Sequence, residues 1–164
     1  MSYKNQLKEL SFIVNDGLTN YIKIHDYIHD ESETLISAVK NFFGFGVSMD
    51  VLLKKAETLI PVWASINDRI NDFKKSAYPN LSDDEKYYFE TLISYINAVQ
   101  KTIASLVERQ KFMEEGTNRF FNWLMSWKAF QEKRKVYQAS VEEYCIIGQK
   151  LNDAKHIVLI DCSG

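Results

Sequence analysis

Apolar residues recur in strict steps of three and four along most of this chain, and that spacing narrows the available folds more than any other feature. Leu7, Leu10, Val14, Gly17, Tyr21, Ile24, Ile28, Glu31, Leu35, Ala38 and Phe42 form the first such seam, with only Gly17 and Glu31 departing from apolar character. Leu52, Ala56, Leu59, Trp63, Ile66, Ile70, Phe73 and Ala77 form the second. Such steps line one face of an α-helix, so each segment must lie lengthwise against partners. Pro61 falls inside the second pattern but off its seam. Its missing N–H and its ring predict a kink near residues 57–61. Pro79 ends the segment, because the residue before a proline is pushed out of the α region.

Ser82-Asp83-Asp84-Glu85 is a capping box, the clearest helix start in the chain. The seam behind it reads Phe89, Leu92, Ile96, Val99, Ile103, Leu106, Gln110 and Met113, with Gln110 its one polar member. A single polar seam residue sets register or partner number at some cost in stability. The fourth seam runs Trp123, Trp127, Phe130, Arg134, Tyr137, Val141, Tyr144, Gly148 and Leu151. It does not continue the phase of the third, which predicts a break or stutter near Gly116-Thr117.

The expected fold is therefore all-α: an up-down antiparallel four-helix bundle with long coiled-coil-like helices. The alternative is a three-helix arrangement in which residues 82–155 form one very long C-terminal helix. That rod would be roughly 110 Å long and would need a dimer to cover it. A chain of 164 residues with 6 Gly and 2 Pro suits one helical domain rather than a turn-rich β fold. Residues 1–155 are read as that domain. Residues 156–164 are read as a tail, strand-like or disordered, because His156-Ile157-Val158-Leu159-Ile160 is β-branched and apolar.

The search for chemistry returns mostly blanks. The chain has no Gly-rich phosphate loop, no His-Glu-x-x-His and no nucleophile elbow. It also lacks the Glu-x-x-His pair of di-iron bundles. No enzyme, no cofactor and no small-molecule substrate is expected. The formal net charge of −2 gives no field to draw in nucleic acid. The N-terminus lacks the apolar stretch of a signal peptide, and two cysteines suit a reducing compartment, so a soluble, cytoplasmic protein is expected.

His25 and His29 stand four apart on one helical face, which is the spacing for a shared metal. The site would need Asp26, Glu33 or His156 to complete it, and two solvated boundary histidines are the plainer reading. Phe42, Phe43 and Phe45 sit in a loop with two glycines and can anchor a partner or plug the end of the core. Phe121 and Met125 belong to a helix apolar nearly all round, and are the members expected to be left for another chain. Lys128, Lys133, Arg134 and Lys135 form a basic cluster beside them, diluted by Glu132, Glu142 and Glu143.

The long kinked helices, with Tyr95-Ile96-Asn97-Ala98-Val99 followed by Arg109, are similar to membrane-curving BAR domains over about a tenth of the chain. That resemblance implies a dimer lying on a membrane surface. The charge of −2 weighs against it, since such surfaces are basic. The leading expectation is a non-enzymatic protein-interaction protein, of adaptor, inhibitor or immunity type. It would bind another protein or itself through a bundle face or the aromatic loop.

Overall fold

The computed structural model describes residues 3–32, 46–117 and 123–159, without the side chains of residues 32, 116, 117 and 123–127. These residues form α1 (Tyr3–Ser32), α2 (Met49–Glu57), α3 (Leu59–Ala77), a 3₁₀ turn (Tyr78–Asn80), α4 (Asp83–Thr117) and α5 (Trp123–Val158). No strand occurs among them. The helices pack as a bundle around a single apolar core.

The seams are the core. Every member of the second seam is buried, and so is every member of the third except the half-buried Met113. Leu7, Leu10, Val14, Gly17, Tyr21 and Ile28 are buried on α1. Gln110 is fully buried, and neither of its amide atoms has a hydrogen-bond partner among the described residues.

The expected kink is an interruption at Thr58, between α2 and α3. Pro61 occupies the first turn of α3, where its missing N–H leaves the Glu57 carbonyl without its i+4 donor. The Thr58 backbone N–H closes on Lys54 and Lys55 carbonyls at 3.2 Å each, and its hydroxyl donates to the Lys55 carbonyl at 2.7 Å. The capping box forms reciprocally. The Glu85 N–H donates to Ser82 Oγ at 3.3 Å, and the Ser82 N–H donates to Glu85 Oε2 at 2.9 Å.

Long-range contacts set the directions of the helices. Lys55 lies over the Tyr27 ring, while Ile66 meets Gly17, so α1 and the α2–α3 rod run oppositely. Phe73 packs on Phe89 and Gln100 donates to the Trp63 carbonyl, which turns α4 back along α3. Between α4 and α5 the bonded partners grow steadily further apart in sequence. The separation is 25 residues for Lys133–Glu108, 38 for Thr102–Ser140 and 42 for Lys101–Glu143. α4 and α5 therefore run antiparallel, so the single rod over 82–155 does not exist.

One expectation is corrected. Residues 156–158 continue α5 as helix, with Val158 and Leu159 buried on the bundle. β-branched residues have only a weak intrinsic preference for strand, and burying Val158 and Leu159 against the existing helices outweighs it, while Ile157 stays exposed. The rest of the tail lies outside the described residues.

Gly17 lets α1 approach α3. A Cβ there would stand 2.5 Å from Ile66 Cδ1 and 3.5 Å from Trp63 Cζ2. Gly17→Leu is therefore expected to cost roughly 1–3 kcal/mol by overpacking. Lys74→Ala on the exposed face should stay within about 0.5 kcal/mol. Ser82→Ala should cost about 1 kcal/mol through the lost cap. Urea unfolding of the three variants measures all of these.

Candidate functional site: a tyrosine-lined cleft between the first and last helices

α5 packs closely on α4 and much less on α1, and the difference opens a cleft. Small side chains allow the close approach on one side. The Thr102 hydroxyl lies 2.9 Å from the carbonyl oxygens of both Ala98 and Ser140, where the two helix backbones nearly touch. On the other side the fourth seam is covered only in part. Tyr137 is buried, but Arg134, Val141, Tyr144, Gly148 and Leu151 are half-exposed.

The walls are α1 and α5, and the floor is α4. One stretch, of about 490 Å³, is lined by Lys8, Ser11, Phe12, Asn15 and Leu18 from α1 and by Gly148, Leu151, Asn152 and Lys155 from α5. Tyr88, Leu92 and Tyr95 form its floor. A second stretch, of about 430 Å³, is lined by His25, His29, Arg109, Arg134, Tyr137, Gln138 and Glu142. The buried hydroxyls of Tyr21 and Tyr137 join the walls between them with a 2.7 Å hydrogen bond.

The tyrosines around this tie pack edge to face. Tyr144 stands T-shaped to Tyr21 at 5.9 Å and close to perpendicular on Tyr95 at 6.2 Å between centroids. The Arg109 guanidinium, buried on α4, lies 5.0 Å from the Tyr137 ring centroid. A Cβ on Gly148 would come within 3.1 Å of the Tyr95 ring, so a larger residue there would press on the floor. Tyr88 is fully buried, with the Ser11 hydroxyl beside its own.

Burial raises the ionisation of these phenols, because a phenolate loses its solvation there. Tyr21 is pushed well up by burial and then by the adjacent Tyr137. Tyr95 is pushed up to about 12, by burial and then by Cys145. Tyr144 rises for the same two reasons. Burial also raises Tyr88, with the nearby Ser11 hydroxyl offsetting part of the rise.

Of the candidate site residues singled out in the sequence, the structure brings His25, His29, Arg134 and Glu142 to this cleft. The two histidine rings stack 6.2 Å apart with planes 10° from parallel. A metal lies in the plane of each imidazole that binds it, so stacked parallel rings do not converge on one ion. His25 Nδ1 instead lies 3.1 Å from the Asp26 carboxylate. His156 is nineteen residues along α5 from Tyr137, roughly 28 Å away. No three His, Cys, Asp or Glu residues gather as a metal set among the described residues.

Phe42, Phe43, Phe45 and Phe121 lie outside the described residues. Met125 falls within α5, but its side chain does too. The basic cluster is divided. Lys133 pairs with Glu108 at 2.9 Å and Lys135 with Glu132 at 3.5 Å, while Arg134 faces the cleft.

The sequence reading passed over Lys8, Tyr88 and Lys155. None breaks a periodic pattern, and nothing local marks them as neighbours. Its one usable signal was the uneven fourth seam, where Arg134 and Gly148 stand in apolar positions. Both line the cleft.

No protein-family model, curated protein or solved structure matches this chain. Among the described residues no helix is long and apolar enough to cross a membrane.

The raised phenols set an alkaline limit on stability. A tyrosine whose folded pKa lies above its unfolded value of 10.0 contributes fully below pH 10 and loses that contribution as pH climbs toward the folded value. The urea midpoint should therefore be flat from about pH 7 to 9 and fall above about pH 10. Each buried tyrosine should contribute about 1.4 kcal/mol per pH unit to the fall. Tyr95→Phe should make the decline shallower between pH 10 and 12, measured by fluorescence-detected unfolding.

Proposed function

We propose that this protein is a non-enzymatic interaction protein that receives a segment of another protein along the α1–α5 face. The observation that supports this most is the fourth seam. A helix carrying apolar residues at three-four spacing is expected to bury them, yet α5 leaves Val141, Tyr144 and Leu151 half-exposed, with Val141 and Leu151 lining the open cleft. The second and third seams of the same chain are closed almost completely. The difference lies in what is available to cover them, and a further helical segment would complete this side of the bundle.

The chemistry of the cleft agrees with recognition more than with turnover. Its tyrosines are held protonated by burial, and a buried phenol above its ordinary range is a poor proton acceptor at neutral pH. Tyrosine and arginine are also the side chains most often found as anchors of protein interfaces.

A pull-down from an extract of the native host tests the reading. The wild-type chain should retain a stoichiometric partner. Leu151→Asp places a charge in the cleft, and Asn152→Trp fills it from the rim. Each should weaken retention at least tenfold, about 1.4 kcal/mol, with the helical circular dichroism unchanged. Lys74→Glu, on the opposite surface, should retain the partner as wild type does. Equal retention by all four proteins, or no partner at all, overturns the proposal.

A further inference from the structure

We infer that the stretch of the cleft between Lys8 and Lys155 takes one face of an acidic amphipathic helix. This rests on the interaction reading above and adds the chemistry of the partner.

Charge is the first argument. The chain as a whole is weakly acidic, with a formal charge of −2. Yet the only charged side chains lining this stretch are two cations, Lys8 on one wall and Lys155 on the other. Neither forms an ion pair among the described residues, whereas Lys54, Lys101 and Lys133 each hold a carboxylate. Two cations facing each other across an apolar trough favour an acidic partner and disfavour a basic one.

Shape is the second. Two antiparallel helices form the walls and a third forms the floor, so the cleft is an open trough along the bundle axis. A trough of this kind accepts the apolar edge of a rod, read at i, i+3, i+4 and i+7. Leu18 and Leu151 provide the apolar surface, and Phe12, 73% exposed, stands on the rim where an occupant would cover it.

Two synthetic helical peptides of eighteen residues test this by fluorescence anisotropy at low salt. They share one leucine face and differ only in a glutamate or a lysine polar face. Wild-type protein should bind the acidic peptide about tenfold more tightly than the basic one, as two weak ion pairs together allow. Lys8→Glu/Lys155→Glu, exposed positions that leave the core intact, should reverse the preference.

No preference in the wild type, an unreversed preference in the double variant, or tighter binding of dodecanoate than of the acidic peptide would overturn the inference. If that happens while Leu151→Asp still loses the host partner, the interaction reading stands and only the acidic helix is excluded. If Leu151→Asp retains the partner, the interaction reading fails as well.

Discussion

α4 has to bury two faces at once, and the rest of the bundle is arranged around that need. Its seam from Phe89 to Gln110 packs toward the other helices, while Tyr88, Tyr95, Ala98, Thr102, Val107 and Arg109 are buried as well. A helix covered so widely must be approached from several sides. α3 covers one flank through Trp63 and Phe73, and α5 covers another through Ser140 and Tyr137. α1 is then left to bridge what remains. It meets α3 closely at Gly17 but reaches α5 mainly through the Tyr21 hydroxyl.

The cleft follows from this arrangement. Small residues at Ala98, Thr102 and Ser140 draw α5 down onto α4, while bulky tyrosines hold it away from α1. Close contact on one side of a rigid helix levers its other side open, since packed interiors do not stretch to fill gaps. The tyrosines that prop the cleft are themselves buried enough to raise their own ionisation. The same few side chains therefore support the fold, shape the opening and set its electrostatic character.

Much of the architecture was legible in the residues. The seams identified the core almost residue by residue, because helical spacing and burial are two views of the same constraint. The capping box and the break near Pro61 were equally readable, each depending on atoms within one turn. The strand-like reading of residues 156–158 failed because it weighed local propensity alone, and the bundle surface decided the outcome. The loop and patch anchors Phe42, Phe43, Phe45, Phe121 and Met125 lie outside the described side chains.

The amino-acid sequence by itself determined that these segments are helices, where most of them start and stop, and which face each one buries. Those properties depend on contacts within four residues, so a pattern along the chain contains them. Only the tertiary structure decided that α4 and α5 run antiparallel, that Tyr21 meets Tyr137 across 116 residues, and that Lys8 and Lys155 flank one opening. Periodicity states that a face must be covered and is silent on which helix covers it and how fully. That choice depends on how side chains of different sizes share one core.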